Sequence, residues 1–178
     1  MPILTEIGQV GVTTEDGREY VLHPSFFNVA AIGSPEEIVS TYAALHGADA
    51  VNAARVVILC CGGDFDLVGG YGEPGLMPDS EQVLIARHLM QHGIVGKAKK
   101  SGGNGKYSPR FDASEYIDAA MIHFGMSQED AGKLTMTQFG RMLDMKFPEQ
   151  KQHEKPTQED YRDLERAIEE KRKAKNGS

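Results

Sequence analysis

A chain of 178 residues with a formal net charge of -7 and a pI near 5.4 has the wrong overall sign for a nucleic-acid binder, whose affinity rests largely on cations meeting phosphate. Hydrophobic residues at 40% and charged residues at 25% exclude wholesale disorder, and no run approaches the roughly 18 apolar residues of a membrane span. With no Trp and only 7% aromatics, the core is expected to be aliphatic, built from Leu, Ile, Val, Ala and Met, which favours helix packing.

The first element is expected to be a β-hairpin over residues 9–22, because two β-prone runs flank Asp16 and Gly17, and such a turn needs residues that accept positive φ. Pro24 should end its second strand. From Ser25 the texture turns helical. Ser34, Pro35 and Glu37 form a well-made helix start: Ser34 caps, Pro35 suits the first position, and Glu37 completes a capping box. That helix should run from Pro35 to Leu45, with Gly47 as its stop. Residues 48–61 are almost wholly apolar and read as a buried central helix; the competing reading is a strand over Val56 to Cys60 alone.

Residues 62–78 hold too many glycines for a regular element and are expected to form an irregular loop. A helix should open at Asp79 to Glu81 and run through His92, ended by Gly93. The stretch 96–110 reads as a basic, Gly-rich linker. Asp112 and Glu115 bracket the start of a helix through Phe124, with Gly125 as its C-terminal stop. Ser127 with Asp130 caps a short helix through Leu134, and Thr135 with Gln138 caps the next, which ends at Phe147 and Pro148. Met121, Phe124, Met126, Leu134, Phe139, Leu143 and Phe147 are all large and apolar, so these helices should pack as one unit. Beyond Glu149 the chain is charged; Thr157 can cap a helix in which Tyr161, Leu164 and Ile168 make one narrow stripe, too thin to hold it firmly without a partner. The expected fold is therefore mainly α: a short N-terminal hairpin, a compact helical domain within residues 1–148, and a protruding charged C-terminal helix over 149–178.

Each catalytic or metal-binding pattern breaks at an essential position. Cys60 and Cys61 are adjacent, so a disulfide between them would be strained; zinc ligands come as spaced pairs, and there is no second pair. They read as buried small hydrophobes in a reduced, cytoplasmic protein. His88 and His92 stand one helical turn apart, a spacing that lets two imidazoles grip one metal, but Leu89 stands where the zinc-protease motif needs Glu. Asp64, Asp66 and Glu73 lack calcium-loop spacing. Lys99, Lys100 and Lys106 among Gly102, Gly103 and Gly105 suggest a phosphate loop, yet Lys100 stands where a Gly is required and Tyr107 where Ser or Thr is. No Gly-x-Ser-x-Gly elbow is present. The sequence thus points away from an enzyme and from any cofactor, toward protein binding.

The stretch from Tyr116 to Asp144 resembles tailed-phage tail assembly chaperones, which carry a helix, then Gly-hydrophobic-Ser, then Leu-Thr and a helix with a central Phe. Gly125, Met126 and Ser127, then Leu134, Thr135 and Phe139, match that cadence. Residues 1–148, with Ser34 to Glu37, the Cys60 region and Ala86 to His88, also resemble an uncharacterised phage and prophage family encoded among tail genes. Two departures stand out: Gly132 replaces a common aromatic, and the Gly-rich insertions are unusual. The resemblance implies a chaperone in the host cytoplasm that keeps the long helical tape-measure protein soluble, recruits tail-tube subunits and is absent from the finished virion; in that family a short and a frameshifted longer product are often made. The surface expected to bind partners comprises Met121, Phe124, Met126, Phe139, Leu143 and Phe147, with Tyr161, Leu164 and Ile168 on the last helix, and self-association is a further possibility. The alternatives are a structural minor tail or completion protein retained in the particle, and a metal-dependent enzyme using His88 and His92.

Overall fold

The computed structural model describes residues 3–70, 72–96 and 109–148. The fold is mainly α, led by a β-hairpin, as expected. Strands β1 (Val10–Thr13) and β2 (Glu19–Leu22) pair antiparallel, Val10 opposite Leu22 and Thr13 opposite Glu19. Their turn closes with the Gly17 amide donating to the Thr14 carbonyl at 2.9 Å, and Gly17 takes the left-handed φ of +85° that Asp-Gly supplies readily. Past β2, the His23 amide donates to the Cys61 carbonyl at 2.9 Å, tying the hairpin to the first long buried helix.

Among the described residues eight α-helices follow: α1 (Phe26–Ala30), α2 (Pro35–Ala44), α3 (Ala50–Cys60), α4 (Phe65–Val68), α5 (Asp79–Met90), α6 (Ala113–Phe124), α7 (Gln128–Gly132) and α8 (Met136–Lys146). The capping box at α2 is complete: the Glu37 amide donates to Ser34 Oγ at 3.3 Å, and the Ser34 amide donates to the Glu37 carboxylate at 2.7 Å. Helix α3 lies centrally, burying Ala53, Ala54, Val57 and Ile58, and packs most extensively on α5, which contributes Gln82, Ala86, Leu89 and Met90. Small residues on α3 allow that close approach. The helical reading of 48–61 therefore holds over the strand. Arg87 of α5 donates from Nε and Nη2 to the Leu45 carbonyl at 3.0 and 2.8 Å, satisfying an orphan acceptor at the end of α2.

Three expectations need correction. The Gly-rich stretch 62–78 is not wholly irregular: Asp64 caps α4 by accepting from the Leu67 amide at 2.9 Å, and Gly69–Gly70 (β3) pairs with Glu73–Pro74 (β4). Its glycines serve close backbone approach, since a Cβ on Gly75 would stand 2.3 Å from the Gly69 nitrogen and 2.4 Å from the Leu67 carbonyl oxygen. The buried Gln82 amide bridges the two ends, donating to the carbonyls of Val68 at 3.0 Å and Met77 at 2.8 Å. Gly93 does not end the fifth helix. The chain continues through a π-helical turn over Gln91–Val95 and stops at Gly96, with φ of +72°. Gly93 is there because a Cβ would lie 2.9 Å from Val29 and 3.1 Å from Pro24.

The core is also not purely aliphatic. Leu22, Ile38, Leu45, Ile58, Leu67 and Leu89 are fully or almost fully buried, as composition suggests, but Phe26, Phe111, Tyr116, Phe124 and Phe139 gather in one aromatic cluster. Few aromatics, concentrated at one place, can dominate it. The described residues divide into two compact units between Met142 and Leu143, so the second takes in the end of α8. The helix expected from Thr157, with Tyr161, Leu164 and Ile168, lies outside the described residues, as does most of the basic linker.

Candidate partner-binding face

Helices α6, α7 and α8 are set by their own end signals. Asp112 accepts from the Ser114 amide at 3.1 Å to open α6, and Gly125 closes it in the left-handed region at φ of +66°. Ser127 accepts from the Asp130 amide at 3.1 Å to open α7. Thr135 and Gln138 form a reciprocal cap on α8: the Gln138 amide donates to Thr135 Oγ1 at 3.2 Å, and the Thr135 amide donates to Gln138 Oε1 at 3.0 Å.

The inner stripe of α6, Ala113, Ile117 and Ala120, is buried, with Tyr116 and Phe124 half-buried beside it. Tyr116 stacks on Phe26 with centroids 5.6 Å apart and on Phe111 at 5.0 Å, and meets Phe139 edge-on at 5.7 Å. Such pairs contribute about 0.5–1.5 kcal/mol each beyond the area they bury. The Phe26 amide donates to the Leu134 carbonyl at 2.9 Å, which fixes α1 against the loop before α8.

Among the residues expected to bind partners, the structure separates two kinds. Phe139, 5% exposed, belongs to the aromatic core and is unavailable, because Phe26, Tyr116 and Phe124 surround its ring. Phe124 and Met126 are half-buried, and Met121 is 37% exposed. In the second unit Leu143 is half-buried and Phe147 exposed. Within α6 and α8 the expectation missed two strongly exposed apolar side chains, Ile122 at 78% and Met145 at 75%. Helical spacing carries the signal for Ile122: once Ile117, Ala120 and Phe124 face inward, residue 122 faces the opposite way.

Residues 48–163 match the family of unknown function DUF6246. The chain belongs to this family. The matched span takes in α3 through α8, and so includes both the central helix pair and the face of α6. No curated protein and no solved structure matches the chain.

The remaining candidate groups of this DUF6246 protein are largely engaged in holding its fold. Asp64 caps α4 and accepts from the Tyr20 hydroxyl at 3.2 Å; Asp66 pairs with Arg18 at 2.5 Å. Arg55 pairs with Asp79 at 3.2 Å beside a pocket of about 360 Å³ that also includes Gly70, Glu73 and Pro78. Cys61 is buried and Cys60 half-buried; both thiols are free, and burial pushes both up, away from reactive thiolate. The His88 and His92 rings lie 4.6 Å apart, with His92 Nδ1 at 2.8 Å from Thr137 Oγ1 and His88 Nε2 buried without a hydrogen-bond partner. No group of three or more His, Cys, Asp or Glu among the described residues is placed to hold a metal ion. Among those residues, too, no helix is long and apolar enough to cross a membrane.

Proposed function

We propose that this chain is a tail assembly chaperone or closely allied tail-morphogenesis factor, working in the host cytoplasm by binding other proteins, the tape-measure and tail-tube proteins first among them. The observation that carries the reading is the end of α6, where Met121 and Ile122 remain exposed although the inner stripe of the same helix is already packed. The described part of the second unit adds Met145 and Phe147, both exposed. Flexible thioether side chains beside a branched one suit an apolar helix, the chemistry expected of a tape-measure partner. The resemblance of Tyr116 to Asp144 to tail assembly chaperones supports the same reading.

Co-expression with a tailed-phage tape-measure protein tests it. The soluble fraction of that protein should rise, and the chain should be missing from purified virions by mass spectrometry. An unchanged soluble fraction would remove the chaperone reading, and a fixed stoichiometry in the particle would replace it with a structural tail role.

A further inference from the structure

Helix α6 presents a mixed outer stripe. Glu115, Asp118 and Ile122 fall at i, i+3 and i+7, on the side opposite Ala113, Ile117 and Ala120, with Met121 at its edge. Ile122, 78% exposed, is thus not a core residue at the margin of its packing; it lies near the middle of the solvent side. Among the described residues, Asp118, one turn before it, makes no ion pair, and Glu115, two turns before, pairs only with Arg110 at 3.9 Å. His123, edge-on to Phe124, is the other titratable side chain at this end of the helix. The stripe therefore joins an apolar end to an acidic one.

We infer that this stripe docks a basic amphipathic helix of another protein, an apolar side chain of which packs on Met121 and Ile122 while lysines or arginines a turn or two away meet Asp118 and Glu115. Complementary charge selects this occupant. A second copy of the chain is disfavoured, because each copy carries a net charge of -7 and a symmetric contact would bring like carboxylates together. The inference rests on the protein-binding reading above and names the chemistry of the partner and the face it uses.

The test uses the full chain and two labelled synthetic peptides of about 18 residues, enough to fold as a helix on the face. Both carry Leu at i, i+3, i+4 and i+7; one has Lys at the remaining positions and the other Glu. In a fluorescence anisotropy titration the Lys peptide should bind and the Glu peptide should not. Replacing Met121→Ser and Ile122→Ser together should weaken the Lys peptide roughly tenfold or more, as expected for losing a buried aliphatic contact. Replacing Glu115→Lys and Asp118→Lys should reverse the preference between peptides. Equal binding of both peptides, binding of neither, or a Lys peptide indifferent to the Ser variant would overturn the inference. A dimer in sedimentation velocity that dissociates in the Ser variant would overturn it too, assigning the face to a second copy. Failure here is distinguishable from failure of the chaperone reading: if the Ser variant still solubilises the tape-measure protein as well as the unmodified chain, the face is wrong and the function stands. If the unmodified chain does not solubilise it, the function fails whatever the peptides do.

Discussion

Helices α3 and α6 are of nearly equal length, 11 and 12 residues, and both are rich in apolar side chains, yet they use them differently. In α3 the apolar residues sit largely inside: Ala53, Ala54, Val57 and Ile58 are buried against neighbouring helices, and Val56 is the exception at 40% exposure. In α6 the inner stripe meets the aromatic cluster, but the helix carries more apolar surface than that contact needs. The surplus is Ile122 and part of Met121. Hydrophobicity that packing absorbs stabilises the fold; hydrophobicity left over on the solvent side does not, and under the function proposed above it is what a partner would bury.

Substitutions should separate the two uses. Phe26→Ala should have the largest effect, about 3–5 kcal/mol of lost stability in urea unfolding, because its ring is fully buried and touches Tyr116 and Phe139. A loss under about 1 kcal/mol would mean that the cluster is not what holds α1 to α6. Gly75→Ala should cost about 1–3 kcal/mol, since the new Cβ meets backbone atoms of Leu67 and Gly69, which cannot move aside as a side chain would. Ser127→Ala should cost about 1 kcal/mol and show as faster amide hydrogen exchange in α7, whose first turn loses its acceptor.

A smaller, pH-dependent effect should come from His92. Burial first, then His88 and the Arg141 guanidinium, hold its imidazole below the ordinary histidine range. The unfolded chain therefore takes up a proton before the folded one does, and stability contributed at neutral pH should fall as the pH drops below about 6.5. His23, lowered by burial, acts in the same direction. His92→Gln should flatten that slope in urea midpoints measured across the range; an unchanged slope would remove His92 from the effect. The smallest change in stability should be that of Ile122→Ser, within about 0.5 kcal/mol, in spite of the large loss of binding expected from the same face.

The elements written in local chemistry were legible from sequence. The Asp16-Gly17 hairpin, the Ser34 capping box, Gly125 as a helix stop and the Thr135–Gln138 cap each depend on residues a few positions apart, and each forms as expected. What was missed depends on residues far apart in the chain. Gly93 looks like a helix stop but is small because Val29 and Pro24 press against it, and the strand pair at Gly69 and Glu73 exists because the ends of a glycine loop are clamped by Gln82. The candidate face divides in the same way. Large apolar type alone cannot tell Phe139, enclosed by rings from α1 and α6, from Ile122, which the same helical period turns outward.

The most direct test compares the unmodified chain with the variant carrying Met121→Ser and Ile122→Ser, measuring the urea midpoint of each and the soluble yield of co-expressed tape-measure protein. Nearly equal midpoints, with the yield raised by the unmodified chain and lost with the variant, would place protein binding on the outer face of α6. A yield that the variant sustains in full, or a midpoint that collapses with the substitutions, would contradict the division between a packed inner stripe and a free outer one.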